Sequence, residues 1–339
     1  MIHENYIKKD ADKYYGEQEI MKIAVITRHA ITNYGSLLQA FATQVTIEKL
    51  GYKCEIVNYI RKDESYKNHE KTLLKRKTEW NRNPIKKLVY LLLRQPESCL
   101  AGKKFECEQN KYLKLSKLYV SQDELMNDRP YADVYMTGSD QVWGPTEDGS
   151  YDSSYCLSFV PDSVKKIAYA ASFGHTDMTE ELCSYYKKWL RRYEHIAVRE
   201  DSALNFLNTI DIEAQQVIDP TLLLTREEWE KYVGEKIEKK YVLVYQLHND
   251  KKLGEYAQKV AKEKGLPLLR VSASLHQITR PGKFIWCPSI KNFLSYVKNA
   301  ECMITDSFHG TAFAINFNTP FVEVLPNNNT GTRNMSILR

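Results

Sequence analysis

The sequence lacks the residue patterns that most often mark metal and redox sites. It has no CxxC pair, no HExxH or HxxxH pattern and no GxGxxG turn. Its seven cysteines are odd in number and scattered, which argues against a disulfide framework, a zinc site or an iron-sulfur cluster and favours a reducing compartment. We therefore predict no metal site, no tightly bound cofactor and no nicotinamide or flavin fingerprint.

Long hydrophobic runs are also missing. The first 20 residues contain no apolar segment of the length that a signal peptide needs, and no later run approaches the ~20 apolar residues of a membrane span. We expect a globular cytoplasmic protein, since 43% of the residues are apolar and 27% are charged. Met21 lies directly before the first strand pattern, so residues 1–20 are predicted to form a disordered N-terminal extension.

Positive charge is concentrated in one segment. Residues 61–117 contain 16 Lys and Arg against 7 Asp and Glu, whereas the whole chain has a net charge of only +5. Within this segment Ile85–Arg94 is a short, strongly apolar helix candidate with basic flanks. We favour a helical insertion that covers the first domain, and the alternative is a peripheral membrane contact through residues 84–94. The basic excess has no accompanying RNA or helix-turn-helix motif, so nucleic acid is not a predicted partner.

Strand and helix patterns alternate along the rest of the 339 residues. This alternation predicts the α/β class, with two Rossmann-like domains that face a cleft. The first domain is expected at 21–225, with the basic helical insertion at 61–125, and the second at 226–339. The sequence ends soon after the last strand pattern, so we expect the second domain to be truncated at its C-terminus.

The first loop is a candidate ligand site. Strand Lys22–Thr27 and helix Leu37–Leu50 begin a βαβ unit, and open α/β sheets bind ligands where such strands end. Between them, Asn33 and Gly35 are expected to form a tight turn and Ser36 to cap the helix.

Polar residues follow two later strands at the same end. The strand over residues 133–137 is followed by Ser139 and Asp140, and strand Lys166–Ala171 leads to His175. Asp140 could orient a sugar hydroxyl or take its proton, or it could simply cap the following turn. Both interpretations remain open from the sequence.

Arg199 stands at the end of the strand pattern Ile196–Val198. A guanidinium there can bind a phosphate or carboxylate through two parallel hydrogen bonds. It could instead pair with the acidic residues that follow it. A further strand is predicted over Val217–Thr221, where it would close the first domain.

The stretch ECMITDSFHGTAFAINF is the centre of the prediction. Cys302–Thr305 fits a buried strand, and a helix should begin at Ser307. His309 then lies in the first turn, where the helix dipole and unpaired N–H groups favour an anion. Gly310 leaves no side chain over this turn, so a ligand could approach the backbone. The alternative is that His309 is an ordinary packing residue.

Five segments together resemble the polysaccharide pyruvyl transferase family: NYG, GSDQVW, AVRED, IDPT and TDSFHGTAFA. The resemblance runs from about Met21 to Val324. It implies a GT-B-like architecture and transfer of a pyruvyl group from phosphoenolpyruvate to a sugar of a cell-surface or exopolysaccharide precursor, forming a cyclic ketal. Many family members have an acidic residue where this sequence has Ser36, which puts a catalytic role at that position in doubt.

The resemblance places the family's donor-site His and Arg on His309 and Arg199, which are the predicted catalytic residues. The predicted partners are phosphoenolpyruvate as donor and a sugar or lipid-linked oligosaccharide as acceptor, in the cytoplasm or at the inner face of the membrane. Two alternatives remain: a GT-B glycosyltransferase that uses a nucleotide sugar, and a non-catalytic glycan-binding relative. The predicted substrate-binding residues are Ser307, Gly310, Asn33, Gly35, Ser139 and Asp140.

Overall fold

The computed structural model describes residues 20–174, 178–325 and 331–338. These residues form two α/β domains, each built on one parallel sheet. Residues 1–19, which carry most of the predicted N-terminal extension, lie outside the described part. So does His175, which was predicted to follow a strand end.

The first sheet has six strands in the order β2-β1-β3-β4-β5-β6, all parallel. Its short central strands are buried because helices cover both faces, as the continuous apolar runs predicted. The strands are β1 (Lys22–Ile26), β2 (Lys53–Ile56), β3 (Val134–Thr137), β4 (Lys165–Ala171), β5 (His195–Val198) and β6 (Gln215–Gln216).

The second sheet has five parallel strands in the order β11-β10-β7-β8-β9. Because the first sheet ends at Gln216 and the second begins at Val242, the predicted boundary at 225/226 falls between them. The strands are β7 (Val242–Tyr245), β8 (Leu268–Ser272), β9 (Lys283–Trp286), β10 (Cys302–Thr305) and β11 (Phe321–Glu323).

Helices connect the strands of both sheets. In chain order they are α1 (Tyr34–Lys49), α2 (His69–Arg76), α3 (Thr78–Arg82), α4 (Pro84–Tyr112), α5 (Gln122–Asn127), α6 (Glu180–Leu190), α7 (Asp201–Thr209), α8 (Arg226–Glu230), α9 (Lys251–Lys264), α10 (Ile290–Lys298), α11 (Phe308–Asn316) and α12 (Gly331–Ile337).

Two local predictions near the first domain's strand ends are wrong. Helix α1 begins at Tyr34 because Asn33, not Ser36, is its cap and accepts a hydrogen bond from the Gly35 N–H. No strand forms over Val217–Thr221. The carboxylate of Asp219 instead accepts from the Thr221 N–H and opens a short 3₁₀ turn.

Two elements of the second domain were not predicted. Strand β9 pairs with β8 at the edge of the sheet, and helix α12 follows the last strand. Ser336 of α12 donates a hydrogen bond to Asp201 of α7, so the chain returns to the first domain.

The insertion between β2 and β3 is helical, as expected, but its main helix is much longer than the predicted segment. Helix α4 has 29 residues and continues through Pro96. Asn83 caps it and Pro84 occupies its first turn, where a missing N–H costs nothing. The helix is longer than its apolar start suggested because Phe105, in its second half, is buried in the core. No helix of the described residues is long and apolar enough to span a bilayer.

Aromatic side chains hold the two domains together. Tyr34 of the first domain stacks on Phe293 of the second, with ring centroids 4.2 Å apart and nearly parallel planes. Trp229 lies between Phe41 and Phe313, one from each domain. This shared core fixes the relation between the two sheets, so residues at facing strand ends can form one site.

Candidate active site

The candidate site begins where the strand order of the first sheet reverses. Strand β1 lies between β2 and β3. The connection after β1 leads to β2 on one side, and the connection after β2 returns to β3 on the other side of β1. Ligands of open α/β sheets bind at such switch points. Here the first loop and Ser139 come together, and the Thr27 hydroxyl donates a hydrogen bond to the Ser139 carbonyl.

Gly35 of the first loop lies directly against His309 of the second domain. A Cβ added at Gly35 would be 2.2 Å from Nδ1 of His309, far inside contact distance. The absence of a side chain at this position therefore lets α1 approach the first turn of α11. Asn33 holds the turn in place through its cap hydrogen bond, with 2.8 Å between its Oδ1 and the Gly35 nitrogen.

One buried carboxylate oxygen joins the two predicted catalytic residues. Nη1 of Arg199 donates to Oδ2 of Asp219 over 2.9 Å, and Nε2 of His309 lies 3.7 Å from the same oxygen. The hydroxyl of Ser139 also donates to this oxygen over 2.9 Å. Arg199 and His309 come from different domains, so their meeting at Asp219 is a product of the tertiary fold.

The cluster carries opposite charges out of contact with water. Burial alone would raise the pKa of Asp219, but the neighbouring His309 and Arg199 outweigh it and hold that pKa well below its usual range. Burial alone would lower the pKa of Arg199, but the carboxylates of Asp219 and Glu200 raise it. Asp219 is therefore an anion and Arg199 a cation at neutral pH.

Several polar atoms of the cluster have no hydrogen-bond partner among the described residues. They include Nη2 and Nε of Arg199, Nε2 of His309 and Oε2 of Glu200, all buried. Such atoms normally find partners in a folded protein. The free donor Nη2 of Arg199 is what a bound anion would require.

A cavity of about 360 Å³ lies beside this cluster. Its lining residues include Arg199, Asp219, Phe308 and Ser336 of α12. The guanidinium carbon of Arg199 stands 4.2 Å from the centre of the Phe308 ring, which fixes the plane of the guanidinium. His309 does not line the cavity but touches Asp219, which does. The space is sufficient for a small phosphorylated acid.

Asp140 lies on the other side of the cluster and has a left-handed backbone, with φ of 74°. Its carboxylate accepts from the Ser36 hydroxyl over 2.5 Å and from the Gln141 N–H over 2.8 Å. Burial alone would raise its pKa, but His309 and Arg199 lower it below the usual range. Asp140 therefore caps the following turn, as one of the two interpretations predicted, and it also belongs to the charged cluster. Ser36, which stands where many family members have an acidic residue, gives Asp140 a hydroxyl partner.

The first turn of α11 is built as predicted at Ser307 but not at Gly310. The Ser307 hydroxyl caps the helix and accepts from the Gly310 N–H over 3.2 Å. A Cβ at Gly310 would be 2.6 Å from Oγ1 of Thr305, so the group that approaches this glycine is its own strand β10. Gly310 thus has a packing role, and substrate contact at Ser307 and Gly310 stays a prediction.

The structure brings together Arg199, His309, Ser139, Asp140 and Gly35. Asp219, the residue that links most of them, was not predicted from the sequence, and neither was the stacking of Phe308 on Arg199. Asp219 was assigned to a strand that closes the domain. A signal was available in the segment IDPT, because it follows strand β6, and ligands of this class of sheet bind beyond the carboxyl ends of the strands.

Comparison with known proteins decides the family. A model of the family described as polysaccharide pyruvyl transferase matches residues 33–329. The chain belongs to the polysaccharide pyruvyl transferase family. The family resemblance in the five sequence segments is thereby confirmed, and the activity that the family name describes is a transferase activity. No curated protein matches the chain in sequence.

Solved structures confirm the GT-B-like fold of this pyruvyl transferase family member. A Listeria monocytogenes protein assigned as a UDP-N-acetylglucosamine 2-epimerase is 10% identical, with a TM-score of 0.52 over 94% of this chain and 82% of that one. S. aureus MnaA, in a structure with UDP, is 13% identical, with a TM-score of 0.50 over 91% of this chain and 80% of that one. At these identities the likeness concerns the fold alone.

The part of the chain that the structure describes contains no group of three or more His, Cys, Asp or Glu side chains placed to hold a metal ion. All seven cysteines have free thiols. The ionisable groups gathered around Asp219 are the guanidinium of Arg199, the imidazole of His309 and the carboxylates of Glu200 and Asp140.

Proposed function

We propose that the protein transfers the pyruvyl group of phosphoenolpyruvate to two hydroxyls of a sugar, forming a cyclic ketal. The observation that supports this proposal is the meeting of Arg199 and His309 at one oxygen of Asp219, beside a cavity of about 360 Å³. A small acid with a phosphate and a carboxylate needs a guanidinium and a helix N-terminus, and both are present.

Arg199 is proposed to bind the donor anion through its free Nη2, while Nη1 stays on Asp219. Phe308 keeps the guanidinium plane fixed, so little freedom is lost when the anion binds. As the bond between carbon 2 and the phosphate oxygen breaks, Arg199 also stabilises the charge that develops on the leaving phosphate.

His309 is proposed to move protons in two steps. A proton added to the methylene carbon makes a methyl group and an oxocarbenium-like carbon 2, and the first sugar hydroxyl attacks this carbon and loses its proton. The second hydroxyl then closes the ring as phosphate leaves with the other proton. The two hydroxyl protons therefore end on the methyl group and the phosphate, and no oxidant is needed.

The first loop and Asp140 are proposed to contact the acceptor. Gly35 lies against His309, Asn33 caps the same turn, and the carboxylate of Asp140 interacts with the charges of the same cluster. We place the reaction in the cytoplasm, where the free cysteines stay reduced, with a sugar or lipid-linked oligosaccharide as acceptor for a cell-surface or exopolysaccharide precursor.

The test is phosphate release from phosphoenolpyruvate in the presence of a panel of glycosides and lipid-linked sugars, with mass spectrometry of the product. His309→Ala and Arg199→Ala are each expected to lower the rate by ~10² to 10⁴. The matched controls are His195→Ala and Arg191→Ala, because both of these side chains are exposed on the surface of the first domain. Parental rates in both site variants would overturn the proposal.

A thermal-shift titration separates this function from its alternatives. Ligands that bind the folded state raise the melting temperature, so phosphoenolpyruvate should stabilise the protein and UDP should not. Stabilisation by UDP or a nucleotide sugar alone would favour a GT-B glycosyltransferase. Stabilisation by a glycan alone, without phosphate release, would favour a non-catalytic glycan-binding protein.

A further inference from the structure

Helix α4 has an apolar face that is open to solvent, most of it in the first half of the helix. Its large side chains are between 43% and 73% exposed, which is unusual for six neighbours on one helix. They recur at helical spacing and lie on one side of the helix. This surface, here called the α4 stripe, consists of Ile85, Leu88, Val89, Leu92, Leu93 and Leu100.

The opposite face of α4 is the one that packs on the protein. Tyr90 is buried and donates a hydrogen bond to Glu70 of α2 over 2.7 Å. Trp80 of α3 contacts the Tyr90 ring, and Phe105 enters the main core. Helices α2 and α3 therefore cover the inner side of α4, and no described residue covers the α4 stripe.

Basic side chains lie along the exposed face. Lys86 follows the first residue of the stripe, and its Nζ lies 5.9 Å from the centre of the Trp80 ring, which is itself 40% exposed. Lys103 comes about five helical turns after Ile85 and so lies on the same face. Exposed tryptophan and lysine beside an apolar face are typical of a helix that lies in a membrane interface.

Charge decides between a bilayer and a second copy of the chain. The insertion over residues 61–117 contains 16 basic and 7 acidic residues. Two copies that met through their α4 stripes would bring two positively charged segments together, which is unfavourable. An anionic bilayer offers the opposite charge and an apolar layer at the depth that an interfacial helix reaches.

We propose that the α4 stripe docks on an anionic lipid bilayer, with its leucines in the interface and its lysines at the headgroups. This contact is peripheral, because α4 is not a membrane-spanning helix. The proposal rests on this surface and not on the pyruvyl transfer chemistry. It favours a lipid-linked acceptor over a free one.

Helix α4 also leads from this surface towards the first loop. A cavity of about 390 Å³ lies along its second half, lined by Lys103, Phe105 and Tyr34 among others. Tyr34 precedes Gly35, which contacts His309. The docked helix and the loop beside the candidate active site thus share one cavity wall.

The experiment is flotation of the purified full chain with vesicles. One set contains phosphatidylcholine only, and the other contains phosphatidylcholine and phosphatidylglycerol. We expect binding to the anionic vesicles that weakens with added sodium chloride, and much weaker binding to the neutral ones. This measurement needs no turnover, so failure of the proposed chemistry would leave it unaffected.

The double variant Leu88→Glu/Leu92→Glu should weaken binding about 100-fold, because two apolar side chains leave the interface. The control Leu50→Glu changes a leucine that is 68% exposed at the C-terminal end of α1, and it should bind as the parent does. Melting curves should be unchanged for both, since these side chains are exposed.

A second variant, Lys86→Gln/Lys103→Gln, tests the electrostatic part of the contact and leaves the leucines unchanged. It should lose roughly fivefold in affinity for anionic vesicles for each lysine and nothing for neutral vesicles. Absence of flotation, or equal binding by the parent and the leucine variant, would overturn the proposal. So would a dimer in sedimentation that the leucine variant converts to a monomer, because the stripe would then be a contact between copies.

Discussion

Nδ1 of His309 lies so close to Gly35 that any side chain at position 35 would overlap the imidazole, since a Cβ there would be only 2.2 Å from that nitrogen. The two residues belong to different domains. The contact makes the first loop and the first turn of α11 interlock, and it explains why a helix-opening residue with a poor helix propensity occupies the start of α1.

Gly35→Ala should therefore impair both stability and activity. Alanine is the better helix former by about 1 kcal/mol, so a loss of stability would come from the overlap with His309. We expect phosphate release to fall about 100-fold, because a small displacement of a reacting group is enough for such a loss. Urea unfolding and the release assay measure the two effects.

A double-mutant cycle supplies the control. The background is His309→Gly, because Cβ of His309, which alanine would keep, is itself 2.6 Å from a Cβ at Gly35. In that background Gly35→Ala should no longer destabilise the protein. Equal destabilisation in both backgrounds would mean that the contact does not constrain the loop.

Asp219→Ala should destabilise the protein by ~3–5 kcal/mol, because it leaves the buried Arg199 without its closest counter-ion. The comparison is Asp162→Ala. Asp162 pairs with Arg192 over 2.6 Å, but its side chain is 82% exposed, so its loss should cost far less stability than the loss of Asp219. Denaturant midpoints at neutral pH give both values. Similar losses in the two variants would contradict the assigned importance of the buried pair.

Arg199→Lys should keep a positive charge near Asp219 but lose the second planar N–H pair. The donor anion would then have one point charge in place of a fork, and the stacking on Phe308 would be lost. We expect the apparent affinity for phosphoenolpyruvate, measured by thermal-shift titration, to fall at least tenfold. If the Arg199→Lys variant bound phosphoenolpyruvate as tightly as the parent, Nη2 of Arg199 would not be a donor ligand.

Glu323 predicts a pH dependence of stability. Burial raises its pKa from 4.5 to about 7, despite the hydrogen bond from Thr311. Between these two values the folded state holds a proton that the unfolded state has lost, so stability falls as the pH rises towards 7. Because Glu323 is only partly buried, solvent screening reduces the effect, and Glu323→Gln should stabilise the protein by about 1–3 kcal/mol at pH 8 but not at pH 4.5.

The control for this prediction is Glu255→Gln, on the exposed side of α9. Its melting temperature should follow that of the parent at every pH. If Glu323→Gln also followed the parent from pH 4.5 to pH 8, Glu323 would be ionised normally in the folded protein.

The predictions from sequence succeeded where a feature depends only on residues that are neighbours in the sequence. The strand Cys302–Thr305 has the predicted bounds because three consecutive apolar residues followed by a β-branched threonine fit a strand covered on both faces. The cap at Ser307 was found because a side-chain oxygen before a helical apolar pattern has one common role. Arg199 and His309 were placed close to strand ends because an apolar strand pattern precedes each of them in the sequence.

Predictions failed where the decisive contact is distant in sequence. Helix α4 continues past residue 94 because Phe105 packs against Tyr34, 71 positions earlier in the chain, with ring centroids 4.9 Å apart. Gly310 was expected to admit a ligand, but Thr305 and its sheet occupy that space. Asp219 has no periodic pattern around it, so its importance is visible only from the residues that gather on its carboxylate.

The sequence by itself determined the α/β class, the family and the positions of the guanidinium and the imidazole along the chain, because each depends on short patterns within one element. The tertiary structure decided that Arg199 and His309 share one oxygen of Asp219, and that the apolar side of α4 faces outward. Both outcomes depend on how separate elements pack, and packing is set by contacts between residues far apart in the chain.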